Sequence, residues 1–324
     1  MSSSGSTPAA SAFPLISAII CTHNPRADFL NRVLNALAAQ TLPAAQWELL
    51  IVDSGSTPAL RDRPELKIPE TARIIRVDQP GLAAARKAGA QAAHAPLLAS
   101  VDDDTEFVPH YLQAAVDFIA AHPQVASCSG KFLPEFEQPP PPWLAEFHTA
   151  IAIRDLGDEI IMVPGLKPGE KLAEFPHAAP VGVNISRRTA YEQYLARWQH
   201  DDRHAGLGRS GRSLASGEDN DYSLCCLEAG WSLAYVPSLQ SRHLMPAFRL
   251  DPAYLARLAR ASNRSWVHVL RLHGMSPWPP IAAWTLRPRM LRAYFQCQAW
   301  KGPVQHIRWQ GACGQFEGRV LRHE

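Results

Sequence analysis

Apolar residues arrive in short runs along the first hundred positions, and each run stops at polar or acidic residues. Leu15-Ile16-Ser17-Ala18-Ile19-Ile20-Cys21, Trp47-Glu48-Leu49-Leu50-Ile51-Val52-Asp53 and Ala72-Arg73-Ile74-Ile75-Arg76-Val77 read as strands, and Ala95-Pro96-Leu97-Leu98-Ala99 as a buried one. Between the first two, Phe29, Leu30, Val33, Leu34 and Leu37 recur at helical spacing from Asp28 to Gln40, with Asp28 a candidate cap. Gly81 to Ala93 is an Ala-rich helix, and another starts near Pro109. Strand and helix in this alternation predict an α/β fold with a parallel, helix-covered sheet.

The pattern then loosens. Pro134 to Ala179 holds Pro139-Pro140-Pro141-Pro142 and scattered Gly and Pro, which reads as long loops or a lid. Val181-Gly182-Val183-Asn184-Ile185-Ser186 restores regularity, and a polar, Gly-rich loop follows from His200 to Ser216. Tyr222 to Ala229 reads as a helix closed by Gly230, and Trp231 to Pro237 as a short strand. From Asp251, Leu255, Leu258, Ala259, Ser262, Trp266, Val269 and Leu270 trace an amphipathic helix, with a further helix after Pro277-Trp278-Pro279-Pro280. The expected division is a loose terminus over 1–14, a main domain over 15–248 and a helical, basic extension over 249–324.

Charge sharpens that division. Twelve Lys/Arg face three acids from Arg249 onward, a net +9, against −7 for everything before it. Such asymmetry points to a partner rather than to a fold. The six cysteines lack metal-ligand spacing and read as small apolar residues of a reduced compartment. No run approaches the ~20 apolar residues of a membrane span, and the first residues lack the pattern of a signal peptide. A cytoplasmic protein is expected.

The chemistry concentrates at Asp102-Asp103-Asp104, which ends the fourth strand. Open α/β sheets bind ligands at that edge. Three adjacent carboxylates repel unless something positive joins them, and hard Mg2+ or Mn2+ suits carboxylate oxygen. A solvated turn capping the next helix is the plainer reading. A second acidic group, Gly217-Glu218-Asp219-Asn220-Asp221, stands before a helix, where Asp219 is either a catalytic base or an N-cap.

Taken in order, Ile19-Ile20-Cys21-Thr22-His23-Asn24, Leu50-Ile51-Val52-Asp53-Ser54-Gly55-Ser56, Gly81 to Gly89, Val101 to Asp104 and Gly217-Glu218-Asp219 resemble the inverting family-2 glycosyltransferases. The resemblance spans about Leu15 to Pro246. It implies a glycosyltransferase-A (Rossmann-like) fold with a mostly parallel sheet, a divalent cation (Mn2+ or Mg2+), and a nucleotide-sugar donor, most commonly a UDP-sugar. The implied acceptor is a hydroxyl of a glycan or a lipid-linked sugar, as in surface polysaccharide biosynthesis.

Residue by residue, the resemblance implies that Thr22, Asn24 and Asp53 hold the nucleoside and that Arg86 lies near the diphosphate. Asp102 and Asp104 match the outer acids of the "DxD" element, touching ribose and metal, and His243 matches a late histidine that completes the metal shell. Asp219 matches the catalytic base, and Glu218 beside it and Asn184 are the residues expected to contact acceptor or donor sugar. Simpler roles stay open: Asp53 can cap its turn, Arg86 can pair with a helix acid, and Asn184 can cap a loop. Pro58, Gln79-Pro80, Lys87 and Cys225 depart from the family pattern, and Cys225 bears on the acceptor side.

In the extension, Arg287, Arg289, Arg292, Lys301 and Arg308 alternate with Trp284, Tyr294, Phe295, Trp300 and Trp309. Either this surface meets an anionic membrane at its inner face, or the aromatics pack the tail onto the domain while the arginines face water. No nucleic-acid-binding motif accompanies the charge, so no nucleic-acid partner is expected. The alternatives to an enzyme are a nucleotide-sugar-binding or partner protein without catalysis, and a membrane-surface adaptor acting through the tail.

Overall fold

The computed structural model describes residues 13–78, 81–199, 207–209 and 213–320. The first twelve residues of the expected loose terminus, the Gln79-Pro80 turn and most of the His200–Ser216 loop lie outside that range.

Strand β1 (Ile16–Thr22), helix α1 (Ala27–Ala38), β2 (Trp47–Ser54), β3 (Arg73–Val77), α2 (Leu82–Ala92) and β4 (Leu97–Asp102) follow the hydrophobic runs closely. Asp28 is not the cap of α1: Arg26 is, and Asp28 sits inside the first turn, where it pairs with Arg26 at 2.6 Å. An acid there still suits the positive end of the helix dipole.

After β4 come β5 (Thr105–Phe107), α3 (Tyr111–Ala121), β6 (Val125–Ser129), β7 (Phe132–Phe136), β8 (Ile161–Val163), β9 (Asn184–Arg187) and α4 (Arg188–Trp198). The stretch expected to be loops or a lid thus contributes parts of two strands and a ten-residue 3-10 segment, Pro142–Ile151. Helix α5 (Glu218–Glu228) starts four residues earlier than its apolar pattern predicts, with Glu218, Asp219 and Asp221 in its first turn. Helix-dipole attraction outweighs the polarity that made this turn look like loop. Gly230 follows it at φ +85°, as a left-handed closing residue. Strands β10 (Ser232–Tyr235) and β11 (Ser241–Met245) complete the domain.

The eight-stranded sheet has the order 3-2-1-4-9-6-10-8. It is mixed: β9 runs antiparallel to β4 and β6, and β8 antiparallel to β10. Alternation along β1 divides the core. Ile16, Ala18 and Ile20 face Leu30, Leu34, Leu112 and Phe118 from α1 and α3. Ile19, with Leu50, Val52 and Leu98, faces Ala85 and Ala90 of α2. Each fully buried Leu or Ile here contributes about 1.5–3 kcal/mol. Helix α2 lies so near the sheet that a Cβ on Gly89 would meet Ile19 Cγ2 at 2.4 Å.

A second sheet, β5-β11-β7, is small but decides the site. Because β5 starts one residue after Asp104 and pairs antiparallel with β11, Thr105 lies opposite His243. Leu244 N donates to Asp104 O at 2.8 Å, which holds the two segments together.

The extension is helical: α6 (Pro252–Leu272), α7 (Leu286–Gln296) and α8 (Pro303–Arg319). Asp251 caps α6, accepting from Ala253 N at 2.6 Å and Tyr254 N at 3.0 Å. Leu250, Leu255, Leu258 and Ile307 pack with Leu144, Ile151 and Met245, so the start of the extension shares a core with the domain. Helix α8 approaches α6 through Gly314, whose Cβ would meet Arg260 O at 2.0 Å.

Candidate active site

The C-terminal ends of β1 and β4 lie side by side, with Cys21 paired to Asp102 across the ladder. In the 3-2-1-4 order this is where the chain switches sides of the sheet and where a crevice opens. A cleft of about 400 Å3 occupies that place. Thr22, Arg86, Asp102, Asp103, Asp104, Glu218, Asp219 and His243 all line it. Acids more than a hundred residues apart in sequence therefore share one hollow.

On the α5 side, Arg86 is the organiser. Its Nη1 donates to Asp219 Oδ1 at 2.7 Å and lies 3.5 Å from Glu218 Oε2. Gly182 N donates to Asp219 Oδ2 at 3.3 Å. The Asp219 side chain keeps 27% of its surface exposed, whereas that of Glu218 keeps 7%. Burial pushes the Glu218 carboxyl up to about 7, with Arg86 opposing the shift and Asp219 adding to it, and Glu218 Oε2 has no hydrogen-bond partner. One acid is thus open and charge-paired, while its neighbour lines the same cleft with little of its surface exposed and its carboxyl raised by burial. The alternative that Asp219 caps its helix does not hold, since Gly217 occupies the cap. The simpler reading of Arg86, a partner for a helix acid, describes what is seen.

On the β4 side, Thr22 Oγ1 donates to Asp103 Oδ2. Asp103 is pushed up to about 7 by burial and by Asp104, and Asp102 is raised for the same two reasons. Asp104 goes the other way: burial would raise it, but Arg249 and His243 hold it well below the ordinary range. Arg249 Nη2 donates to Asp104 Oδ2 at 2.7 Å, and Arg249 Nη1 lies 2.7 Å from His243 Nε2. The His243 ring stacks on Phe132, centroids 4.6 Å apart, which sets its orientation.

Three of the sequence-predicted residues are not among those lining the cleft. Asp53 is 1% exposed, and it accepts from Ser56 N at 2.9 Å, Leu60 N at 3.2 Å and Arg76 Nη1 at 2.6 Å. Asn24, at φ +50°, binds Thr57 N through Oδ1 at 2.8 Å and braces the same loop. Asn184 donates to Gly182 O at 3.1 Å and accepts from Ser186 at 2.9 Å, shaping the turn that reaches Asp219. Conversely, Arg209, Arg249, Phe132 and Tyr254 line the cleft without having been picked from the sequence. Arg249 was counted with the basic tail; a basic residue placed between His243 and the Asp251 helix start was the only hint.

The donor chemistry of Asp102, Asp104 and His243 suits a hard divalent ion. Their arrangement does not, because Arg249 already holds Asp104 Oδ2 and His243 Nε2. Among the described residues, the ligand-type atoms that lie mutually within 4.8 Å belong to Asp221, Cys225 and His273. Those form a different structure. His273 Nε2 binds Asp221 Oδ1 at 2.9 Å and Nδ1 binds Glu228 Oε1 at 2.6 Å, while Tyr194 donates to Asp221 Oδ2 at 3.0 Å. Burial would lower His273, but its bonds to Asp221, Cys225 and Glu228 outweigh that and push it up to about 11. A protonated imidazole has no lone pair for a metal.

A mostly parallel sheet flanked by helices, with this acidic edge, is glycosyltransferase-A architecture. Residues 17–167 match the model of the family "Glycosyl transferase family 2". The chain is 40% identical over 118 residues to validoxylamine A glucosyltransferase of Streptomyces hygroscopicus subsp. jinggangensis, a match covering 35% of this chain and 27% of that protein. It is 30% identical over 113 residues to glycosyltransferase AglE of Haloferax volcanii, covering 34% of this chain and 37% of that one. The chain thus spans well under half the length of these relatives. Among solved structures, S. aureus TarS 1-349 is similar at a TM-score of 0.47 and 13% identity, over 94% of this chain and 90% of that one. A score that low carries no argument.

Proposed function

We propose that the chain transfers a sugar, with inversion, from a nucleotide-sugar donor to a hydroxyl of a glycan or lipid-linked acceptor. The carrying observation is that Asp102–Asp104 and Glu218–Asp219 meet in one cleft at the switch point of the sheet. A relative named as a glucosyltransferase supports a hexose donor such as a UDP-sugar.

A sugar hydroxyl is a weak nucleophile at neutral pH, so a carboxylate must take its proton as it attacks. Asp219 is the proposed base, open to the cleft and held in one orientation by Arg86 and Gly182 N. Glu218, half protonated near neutrality, can donate to a sugar oxygen. A single displacement by the acceptor oxygen, on the face opposite the departing diphosphate, inverts the anomeric centre.

Helix α7 adds a reason to place the enzyme at a membrane face. Trp284, Leu291, Phe295 and Trp300 are 81%, 60%, 59% and 53% exposed. Arg287, Arg289, Arg292 and Lys301 are exposed beside them. Tyr294 packs on Trp309, centroids 5.1 Å apart, and carries Phe295 and Trp300 on its outer side, each at 5.7 Å. No helix among the described residues is long and apolar enough to cross a membrane. Contact with anionic lipid would bring a lipid-linked acceptor to the cleft, as surface polysaccharide assembly needs.

The test is a panel of nucleotide-sugars with wild type and Asp219→Asn. Wild type is expected to hydrolyse or transfer at least one donor, and the variant to bind that donor without turning it over. Nucleotide binding with no turnover by wild type on any donor would favour the non-catalytic reading instead.

A further inference from the structure

Arg249 enters the site from outside every motif that defines it. It belongs to the 3-10 turn Ala247–Leu250, which is anchored on its C-terminal side by buried Leu250 and the Asp251 cap of α6. Only its side chain is left to move. The guanidinium makes two charge-assisted contacts, with Asp104 Oδ2 and with His243 Nε2, each at 2.7 Å. A guanidinium donates and never accepts, so Arg249 approaches both atoms as a donor. Arg249 therefore caps one oxygen lone pair and one nitrogen lone pair, the pair of atoms a divalent cation would seek at this place. Its own Nε is buried with no hydrogen-bond partner, a donor not yet used.

The charge around the cleft shows why this matters. Asp102, Asp103, Asp104, Glu218 and Asp219 line it, against Arg86, Arg209 and Arg249. Arg86 is bound to Asp219 and Glu218. A diphosphate entering on the β4 side therefore meets Arg249 and the exposed Arg209 as its cations. The planar fork of an arginine matches two phosphate oxygens, which an ammonium does not.

Resting on the glycosyltransferase reading, we propose that Arg249 is a built-in cation of the donor site. It competes with a divalent ion for Asp104 and His243, and in the ion's absence its guanidinium carries the positive charge that a nucleoside diphosphate requires.

Two measurements on the full chain test this. The first titrates Mn2+ alone, without nucleotide, reading free ion by electron paramagnetic resonance. Arg249→Met is expected to bind Mn2+ about tenfold more tightly than wild type, the size of one hydrogen bond to a charged group. Arg249→Lys, which keeps the charge but cannot bridge both atoms, should fall between the two and serves if the methionine variant does not fold. The second measures UDP binding by calorimetry in EDTA. Wild type should bind, and Arg249→Met should bind about tenfold more weakly. Unchanged or weaker Mn2+ affinity in a folded variant overturns the proposal, as does equal metal-free UDP binding. If wild type binds no UDP even with Mn2+, the donor reading falls, and the Mn2+ titration still decides whether Arg249 competes.

Discussion

Asp219 and Asp221 lie two residues apart in the first turn of α5, and their surroundings are opposites. Asp219 has an arginine on one oxygen, a weak backbone bond at 3.3 Å on the other, and 27% of its side chain exposed. Asp221 is fully buried, bound by Tyr194 at 3.0 Å and by a protonated His273 at 2.9 Å. A helix turns about 100° per residue, so acids two apart look in nearly opposite directions. One looks into the cleft and keeps spare capacity to take a proton. The other looks into the protein, where a buried charge survives only if every lone pair is occupied. The same side chain is chemistry on one face and structure on the other.

The sharpest way to break this contrast is to neutralise each acid's function separately. Asp219→Asn should lower transfer by about 10²–10⁴-fold, the usual worth of a general base, and leave the melting temperature and donor binding close to wild type. Normal transfer by that variant would remove Asp219 as the base. On the inner face, His273→Leu strands the Asp221 charge and should cost about 3–5 kcal/mol in urea unfolding, with activity per folded molecule near wild type. Lost activity at unchanged stability would mean the cluster is not structural. Gly314→Val should cost about 1–3 kcal/mol by forcing α8 away from Arg260 O, which loosens α6 and with it the segment carrying His273.

A pH series refines the comparison with a smaller effect. The folded His273 pKa, about 11, stands above its ordinary 6.5. Its pairing therefore stabilises the fold fully below pH 6.5 and loses that contribution progressively as pH rises toward 11. The gap in melting temperature between wild type and His273→Gln should narrow from pH 7 to pH 10. A constant gap would show that the imidazole is not charged in the native state. The smallest effect belongs to the exposed tail. Trp284→Ala with Phe295→Ala should leave turnover of a soluble acceptor unchanged while reducing sedimentation with anionic vesicles, and equal binding to neutral vesicles would refute the membrane reading.

Much of this was legible before any coordinates. Short apolar runs placed β1 to β4 to within about three residues, because a strand covered on both faces, as β1, β2 and β4 are, leaves room for little but apolar residues. The apolar spacing from Leu255 to Leu270 announced α6, and Asp251 caps it without a distant partner. The start of α5 was missed, since its first turn is polar and only the helix dipole and the tertiary setting make it helical. Asp53 and Asn24 carry the right residue types for a nucleoside site, yet backbone amides and Arg76 already claim them. Sequence spacing cannot register such competition.

The amino-acid order alone determined the layered sheet, the acidic edge and the candidate base, because local periodicity and side-chain chemistry are written along the chain. Only the tertiary structure decided which acid faces the cleft, which histidine is locked as a cation, and that Arg249 meets Asp104 and His243. Those outcomes depend on the antiparallel pairing of β5 with β11 and on the docking of α6, long-range contacts whose geometry no stretch of sequence contains.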